Sequence, residues 1–186
     1  MAGHFAYVAG VEPDPAVRPP LGGYDEWVVD PVASVESWNR PFDDVVCADV
    51  LEHLPDPSAV LQRVRGWIAP GGRLYVSLPN VANAAVRLSL LAGRFEYADA
   101  GILDRTHLRF FTRRTARRLV EEAGFRIGGV RPTPIPAELA VPLLRRPPLR
   151  WLSRAFFAAA ARAWPTLFGY QFVIEARPGP DHSTSR

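Results

Sequence analysis

Along the chain, short apolar runs alternate with segments in which apolar positions recur every three or four residues, the pattern of strands covered by helices. Val45 to Ala48 is an apolar run without polar alternation, which predicts a strand covered on both faces. Asp56-Pro57 predicts a helix start, because the aspartate can cap and the proline's missing N–H is harmless at the first helical position. Val60, Leu61, Val64, Trp67 and Ile68 then recur at helical spacing, Pro70-Gly71-Gly72 stops the helix, and Leu74 to Leu78 is the next buried strand. Strand, helix and second strand make one right-handed β-α-β crossover of a parallel sheet.

Farther along, Ala84 to Leu91 reads as a helix stopped by Gly93, with Leu88, Leu90 and Leu91 expected in core or lid packing. Thr112 should cap a helix that turns Ala116, Leu119, Val120 and Ala123 to the sheet and ends at Gly124, while Arg113, Arg114, Arg117 and Arg118 make a solvated face. Phe125 to Arg131 is a strand, and Tyr170 to Ala176 is an antiparallel closing strand. Between them, residues 132–168 form an insertion rich in Pro, Arg and large apolar residues. Its Leu149 to Trp164 is a basic amphipathic helix, which either packs on the sheet or pocket or makes peripheral membrane contact. The expected domain is 1–177, followed by a disordered tail, 178–186.

A chain of 186 residues with 48% hydrophobic positions can bury a core as one domain. Its single cysteine, Cys47, lies in a predicted strand, so no disulfide framework exists and a reducing compartment is expected. Residues 1–12 have no basic start or long apolar core, and no apolar run reaches the length of a membrane span; the expected location is cytoplasmic. The net charge of +3 comes from arginine without lysine. With abundant alanine and proline that charge reads as a compositional bias more than as a nucleic-acid footprint, which would call for basic residues interleaved with exposed aromatics on one face, so no nucleic-acid partner is expected.

Chemistry concentrates at two places. Asp49 ends a parallel strand, where open sheets bind their ligands. If the chain turns helical there, Asp49, Glu52 and His53 converge at a pocket mouth. His53 then reads as a general base, a ligand or a structural histidine, and two carboxylates are few for a divalent ion, so no metal is expected. Asp104, Arg105 and His107 put an acid, a fixed cation and an imidazole within one long loop, as substrate or lid residues or as loop anchors.

The segments FDDVVCADVLEHLPDP, LQRVRGWIAPGGRLYVSLPN and LLAGRFEYADAGILDRTHLRFFTRRTARRLVEEAGF together resemble class I S-adenosylmethionine-dependent methyltransferases, in the bacterial group with a D/E-V-L-E-H-L-x-D-P segment. The resemblance implies an α/β, three-layer Rossmann-like sheet, mostly parallel with an antiparallel last strand. The implied strand order is 3-2-1-4-5-7-6, and the implied cofactor is S-adenosylmethionine. Ala6 to Pro15 resembles the second strand, whose terminal acid, Glu12, would take the ribose hydroxyls. Asp25 to Asp30 would be the third, with Asp30 near the adenine amine and Asp49 completing the cofactor set. Some quinone-biosynthesis O-methyltransferases resembling this segment hold magnesium with an acid-x-x-Glu-His set, in which Asp49 here replaces Glu.

Nothing before Glu12 reads as the family's first strand, Gly-rich loop and following helix. The expectations are a shortened reading of a longer gene, a separate upstream segment, or a degenerate domain that acts as a partner-binding module. The implied reaction is methyl transfer, most often to oxygen, on a small-molecule, glycan or lipid-linked acceptor, with His53 or His107 as the base.

Overall fold

The computed structural model describes residues 5–17, 23–136 and 142–180, which group into two compact units, Met1–Arg40 and Pro41–Arg186. In the first unit, β1 (Ala9–Val11) pairs in parallel with β2 (Glu26–Val28), Gly10 opposite Trp27. The strands expected over Ala6 to Pro15 and Asp25 to Asp30 are thus present but shorter. Gly10 is required there, because a Cβ would stand 2.6 Å from the Trp27 ring.

The second unit holds a four-stranded sheet built from β3 (Phe42–Ala48), β4 (Ile68–Pro79), β5 (Phe125–Pro132) and β6 (Gln171–Pro178), in the order β3-β4-β6-β5. β3 and β4 are parallel, and β6 is antiparallel to both β4 and β5. Only β6 is therefore reversed. The two sheets reproduce the 3-2 and 4-5-7-6 ends of the implied strand order, and the α/β, mixed, Rossmann-like class holds.

Helix α1 (Pro57–Trp67) packs on β3 and on α3 (Arg113–Glu122), which in turn covers β5 and β6. Asp56 caps α1 by accepting from Ala59 N at 3.0 Å, and Val60, Leu61, Val64 and Trp67 are buried. They meet one face of the sheet, where Leu74, Val76 and Leu78 of β4 lie opposite Ala176, Ile174 and Phe172 of β6, all essentially without solvent contact. Asp56→Ala removes an acceptor of the exposed first-turn amides; we expect a loss of about 1 kcal/mol in urea unfolding.

Four local expectations change. β3 is not covered on both faces: it is the edge strand of its sheet, and with the strand's alternation Cys47 turns inward while Val46 is 66% exposed. Helix α1 ends before Pro70, at Trp67, and Ile68 is already extended and paired with Phe42; Pro70 disfavours helical backbone at Ala69, so the helix stops short of it. Helix α2 (Ala84–Leu91) buries Val86, whereas Leu88, Leu90 and Leu91 are exposed and belong to neither core nor lid packing. Pro178 closes β6 and Gly179 N donates to Gly124 O at 2.8 Å, so the ordered chain runs past residue 177; residues 181–186 of the expected tail lie outside the described residues.

Thr112 caps α3 through a reciprocal pair with Thr115, and Gly124 ends it at φ 89°. In the insertion, the prolines at 147 and 148 open helix α4 (Pro147–Ala163), followed by the short α5 (Pro165–Phe168). Among the described residues no helix is long and apolar enough to cross a membrane.

Candidate active site

At the carboxyl end of β3 the backbone enters the left-handed region at Asp49 (φ 52°), which residues other than glycine rarely adopt. Three strand ends hold it there. Asp49 N donates to Ser77 Oγ (3.0 Å), which donates to Asp49 Oδ1 (2.7 Å), and Gln171 Nε2 donates to the same oxygen (2.9 Å). Such strain persists only where its surroundings over-determine it, and it concentrates at functional sites. The chain then makes a 3-10 turn over Leu51–His53.

The turn and the loop before α3 are tied together. Glu52 O accepts from Leu108 N (2.9 Å) and Arg109 N (3.1 Å), and the Arg109 guanidinium donates to Pro55 O. Between them lies a cavity of about 260 Å³ lined by Asp49, Glu52, His53, Pro79, Gly101, Asp104, His107, Tyr170 and Gln171. Asp49, Glu52 and His53 therefore converge, and the loop adds Asp104 and His107. Arg105 is elsewhere: it pairs with Asp99 at 2.6 Å on the surface and is not among the lining residues.

The two imidazoles meet edge to face with centroids 4.8 Å apart. His107 Nδ1 lies 3.1 Å from the Ile102 carbonyl, which only accepts, so this nitrogen carries the proton and Nε2 is the basic atom of the neutral ring. His53 Nδ1 lies 3.2 Å from the Thr106 carbonyl and 3.1 Å from Thr106 Oγ1, and that hydroxyl donates to Asp104 Oδ1 at 2.6 Å. His53 is thus also an Nδ1–H tautomer, with a carboxylate behind it through one hydroxyl. Those bonds from the Thr106 hydroxyl and amide hold the Asp104 carboxyl below its usual range.

Glu52 is the unusual group. It is 0% exposed, and neither carboxylate oxygen has a hydrogen-bond partner among the described residues. Burial, and secondarily the charge of Asp49, push its carboxyl up to about 7. Glu52, His53 and His107 each offer a ligand atom within 4.8 Å of the others, so this trio, rather than Asp49, could hold a cation. Burial and then Asp49 raise the Tyr170 phenol, whose oxygen would lie 3.0 Å from a Cβ placed on Gly101. Burial also pushes the Cys47 thiol up to about 12, which removes it as a nucleophile at neutral pH.

In the first unit Glu12 directly follows β1, and Asp30 stands two residues beyond β2, at the carboxyl ends of adjacent parallel strands. Glu12 Oε1 accepts from Asp14 N at 3.0 Å. Carboxylates at strand ends fit a ligand presenting a vicinal diol, an exocyclic amine and cationic centres, the donor chemistry of S-adenosylmethionine.

Sequence reasoning missed Tyr170 and Gln171 as lining residues. They read only as the opening of a strand, and the antiparallel register that sets Gln171 opposite Pro79 brings them to the cavity. Asn80 and Asn83 were likewise passed over as chemistry. Both are buried and donate to Gly169 O at 2.9 Å, anchoring the approach to Tyr170.

A family profile described as a methyltransferase domain matches residues 1–128. A 55-residue stretch is 40% identical to the ubiquinone biosynthesis O-methyltransferase of Xylella fastidiosa (strain M23), over 30% of this chain and 22% of that protein. The corresponding protein of Xanthomonas euvesicatoria pv. vesicatoria (strain 85-10) is 37% identical over 54 residues, 23% of its length. The chain thus spans less than a quarter of these curated relatives in the matched region.

Among solved structures, a SAM-dependent methyltransferase from Archaeoglobus fulgidus superposes with TM-score 0.53 at 17% identity, over 90% of this chain and 74% of that one. The 1,6-didemethyltoxoflavin-N1-methyltransferase of Burkholderia thailandensis, bound to 1,6-didemethyltoxoflavin and S-adenosylhomocysteine, gives 0.54 at 18% identity, over 92% of this chain and 61% of that one. These likenesses establish the fold. With the profile covering more than half of the chain and the strand order agreeing, the chain belongs to the class I methyltransferase-domain family, whose methyl donor is S-adenosylmethionine.

Proposed function

We propose that this protein transfers a methyl group from S-adenosylmethionine to a hydroxyl oxygen of a small acceptor seated in the Asp49–Glu52–His53–His107 cavity. The observation that carries the reading is His53 held as an Nδ1–H tautomer by Thr106 and Asp104, its basic nitrogen left for a substrate. Bound S-adenosylmethionine supplies an electrophilic methyl and its own leaving group. Within the first unit, Glu12 and Asp30 would take its hydroxyl and amine groups.

The chain's own task is positioning and proton removal. His53 Nε2 takes the hydroxyl proton as oxygen becomes nucleophilic, and Asp104, through the Thr106 hydroxyl, stabilises the imidazolium. His107 donates to a neutral carbonyl, not to a hydroxyl tied to a carboxylate, although the Asp104 charge also faces its ring; it packs against His53 and completes the wall. The segment shared with the ubiquinone biosynthesis O-methyltransferases supports oxygen as the acceptor atom. A cavity of about 260 Å³ suits one ring or one sugar, whether free, in a glycan or at the head of a lipid-linked molecule.

The test is calorimetric titration of the chain with S-adenosylhomocysteine. Micromolar binding, about −8 kcal/mol, is expected, and Glu12→Ala should abolish it. A folded chain that takes up no ligand overturns the proposal.

A second reading rests on the partnerless oxygens of Glu52: a divalent cation held by Glu52, His53 and His107 that orients the acceptor. Oxygen-loving ions take more ligands than these three, so water or substrate oxygens would complete the shell. Under the base reading, chelator leaves turnover unchanged; activity lost to chelator and restored by magnesium or zinc establishes the cation instead.

A further inference from the structure

Helix α4 is amphipathic in the wrong sense for a helix that only packs. Toward the protein it turns Ser153, Phe157, Ala160 and Ala161, of which only Ala161 is fully buried. Toward solvent it turns its larger apolar groups: Trp151 is 73%, Leu152 69% and Phe156 63% exposed, with Ala155 and Ala159 between them. At 100° per residue these five positions fill an arc of roughly 140° on a rod about 25 Å long. An exposed apolar face of this size normally meets another apolar phase.

Along this segment of the sequence the charge has one sign. No acidic residue lies between Glu138 and Glu175, while Arg145, Arg146, Arg150, Arg154 and Arg162 all do, and each of the five is exposed. Beyond the carboxyl end of α4, Thr166 of α5 closes a groove of about 520 Å³ whose other walls are Arg113, Arg114, Arg117, Arg118 and Glu121 of α3. Glu121 pairs with Arg117 (3.0 Å), and Glu122 with Arg118 (2.7 Å). Arg113 Nε is buried there without a hydrogen-bond partner among the described residues. A guanidinium suits phosphate because it can donate two parallel bonds to anionic oxygens, and Arg113 and Arg114 line this groove outside the two glutamate pairs.

We propose that α4 and the adjoining arginine groove dock this protein on an anionic lipid bilayer. The helix lies in the interfacial plane, Trp151, Leu152 and Phe156 enter the acyl boundary, the α4 arginines snorkel to headgroup phosphates, and the α3 groove takes a further phosphate. Arginines with aromatics also suit single-stranded nucleic acid. Leucine and alanine on this face favour the bilayer, because they have no ring to stack on a base yet gain from leaving water. The inference stands apart from the methyl-transfer reading and needs neither cofactor nor acceptor.

The test is flotation of the full chain with vesicles of phosphatidylcholine alone or mixed equally with phosphatidylglycerol. Binding is expected only to the mixed vesicles, with a blue shift of tryptophan emission, and it should fade at high salt. The triple variant Trp151→Ala, Leu152→Ala, Phe156→Ala changes only exposed side chains, so its circular dichroism should match the parent while affinity falls on the order of a hundredfold. Arg150→Gln and Arg154→Gln should each weaken binding about fivefold. Absence of binding to anionic vesicles overturns the proposal, as does binding that the triple variant leaves unchanged. A self-association that the triple variant abolishes, with no vesicle binding, assigns the face to a second copy of this chain. Tight binding of a single-stranded RNA oligonucleotide that anionic vesicles do not displace assigns it to nucleic acid.

Discussion

On the proposed reaction, His53→Gln is expected to lower kcat for methyl transfer by about 10²- to 10⁴-fold, the usual contribution of a positioned base, and to leave S-adenosylhomocysteine affinity unchanged. Glutamine can keep a hydrogen bond toward Thr106 but has no nitrogen that accepts a proton at working pH. His107→Gln should act less strongly, because its Nδ1 partner is the neutral Ile102 carbonyl and not a hydroxyl bonded to a carboxylate.

Thr106→Val breaks the path from Asp104 to His53 without touching the cavity wall. It should lower kcat by roughly tenfold, the order expected when a charge-assisted hydrogen bond worth about 1.5 kcal/mol or more is lost. If His107→Gln proves the more damaging histidine variant, the two imidazoles exchange roles. If neither matters while activity persists, proton removal belongs to solvent and His53 is a structural residue of the turn.

Glu52→Gln makes the protein more stable at alkaline pH and changes little in acid. Burial, the larger effect, and the nearby Asp49 raise the Glu52 carboxyl from 4.5 to about 7. A group whose folded value lies above its unfolded value contributes stability that is complete below about 4.5 and is lost as pH rises through about 7. At about 1.4 kcal/mol per unit, the loss across that window is roughly 3 kcal/mol. Glutamine copies the shape of the protonated acid and cannot ionise. The variant should therefore match the parent in urea unfolding below pH 4.5 and exceed it by roughly 3 kcal/mol above pH 7. Equal stability of the two proteins at pH 8 would mean that a cation or an ordered water already satisfies the carboxylate.

The β-α-β crossover was legible because each of its signals is local: the Val45 to Ala48 run, the Asp56-Pro57 start, and apolar spacing from Val60 to Ile68. Helix α3 was legible for the same reason, through Thr112 and Gly124 at its ends. Exposure was less so. Val46 looks interior by composition, yet the strand order leaves β3 at the edge of its sheet. Leu88, Leu90 and Leu91 look like a core, yet α2 buries one valine among its described side chains. An apolar residue carries a preference for burial, and only the placement of other segments decides whether a partner surface exists.

The sequence by itself therefore determined the elements, the family and the residue types of the site. Caps, turns and periodicity act over a few residues, and the D-V-L-E-H-L and D-R-T-H segments carry their chemistry in order. Tertiary structure alone decided three things. It paired His53 with the Thr106–Asp104 relay across a separation of 53 residues. It brought Tyr170 and Gln171 to the cavity through antiparallel register. It also emptied the surroundings of Glu52, whose acidity depends on how completely the turn and the loop before α3 exclude water and polar partners. Such desolvation belongs to the packing of distant segments, and no pattern of neighbours along the chain encodes it.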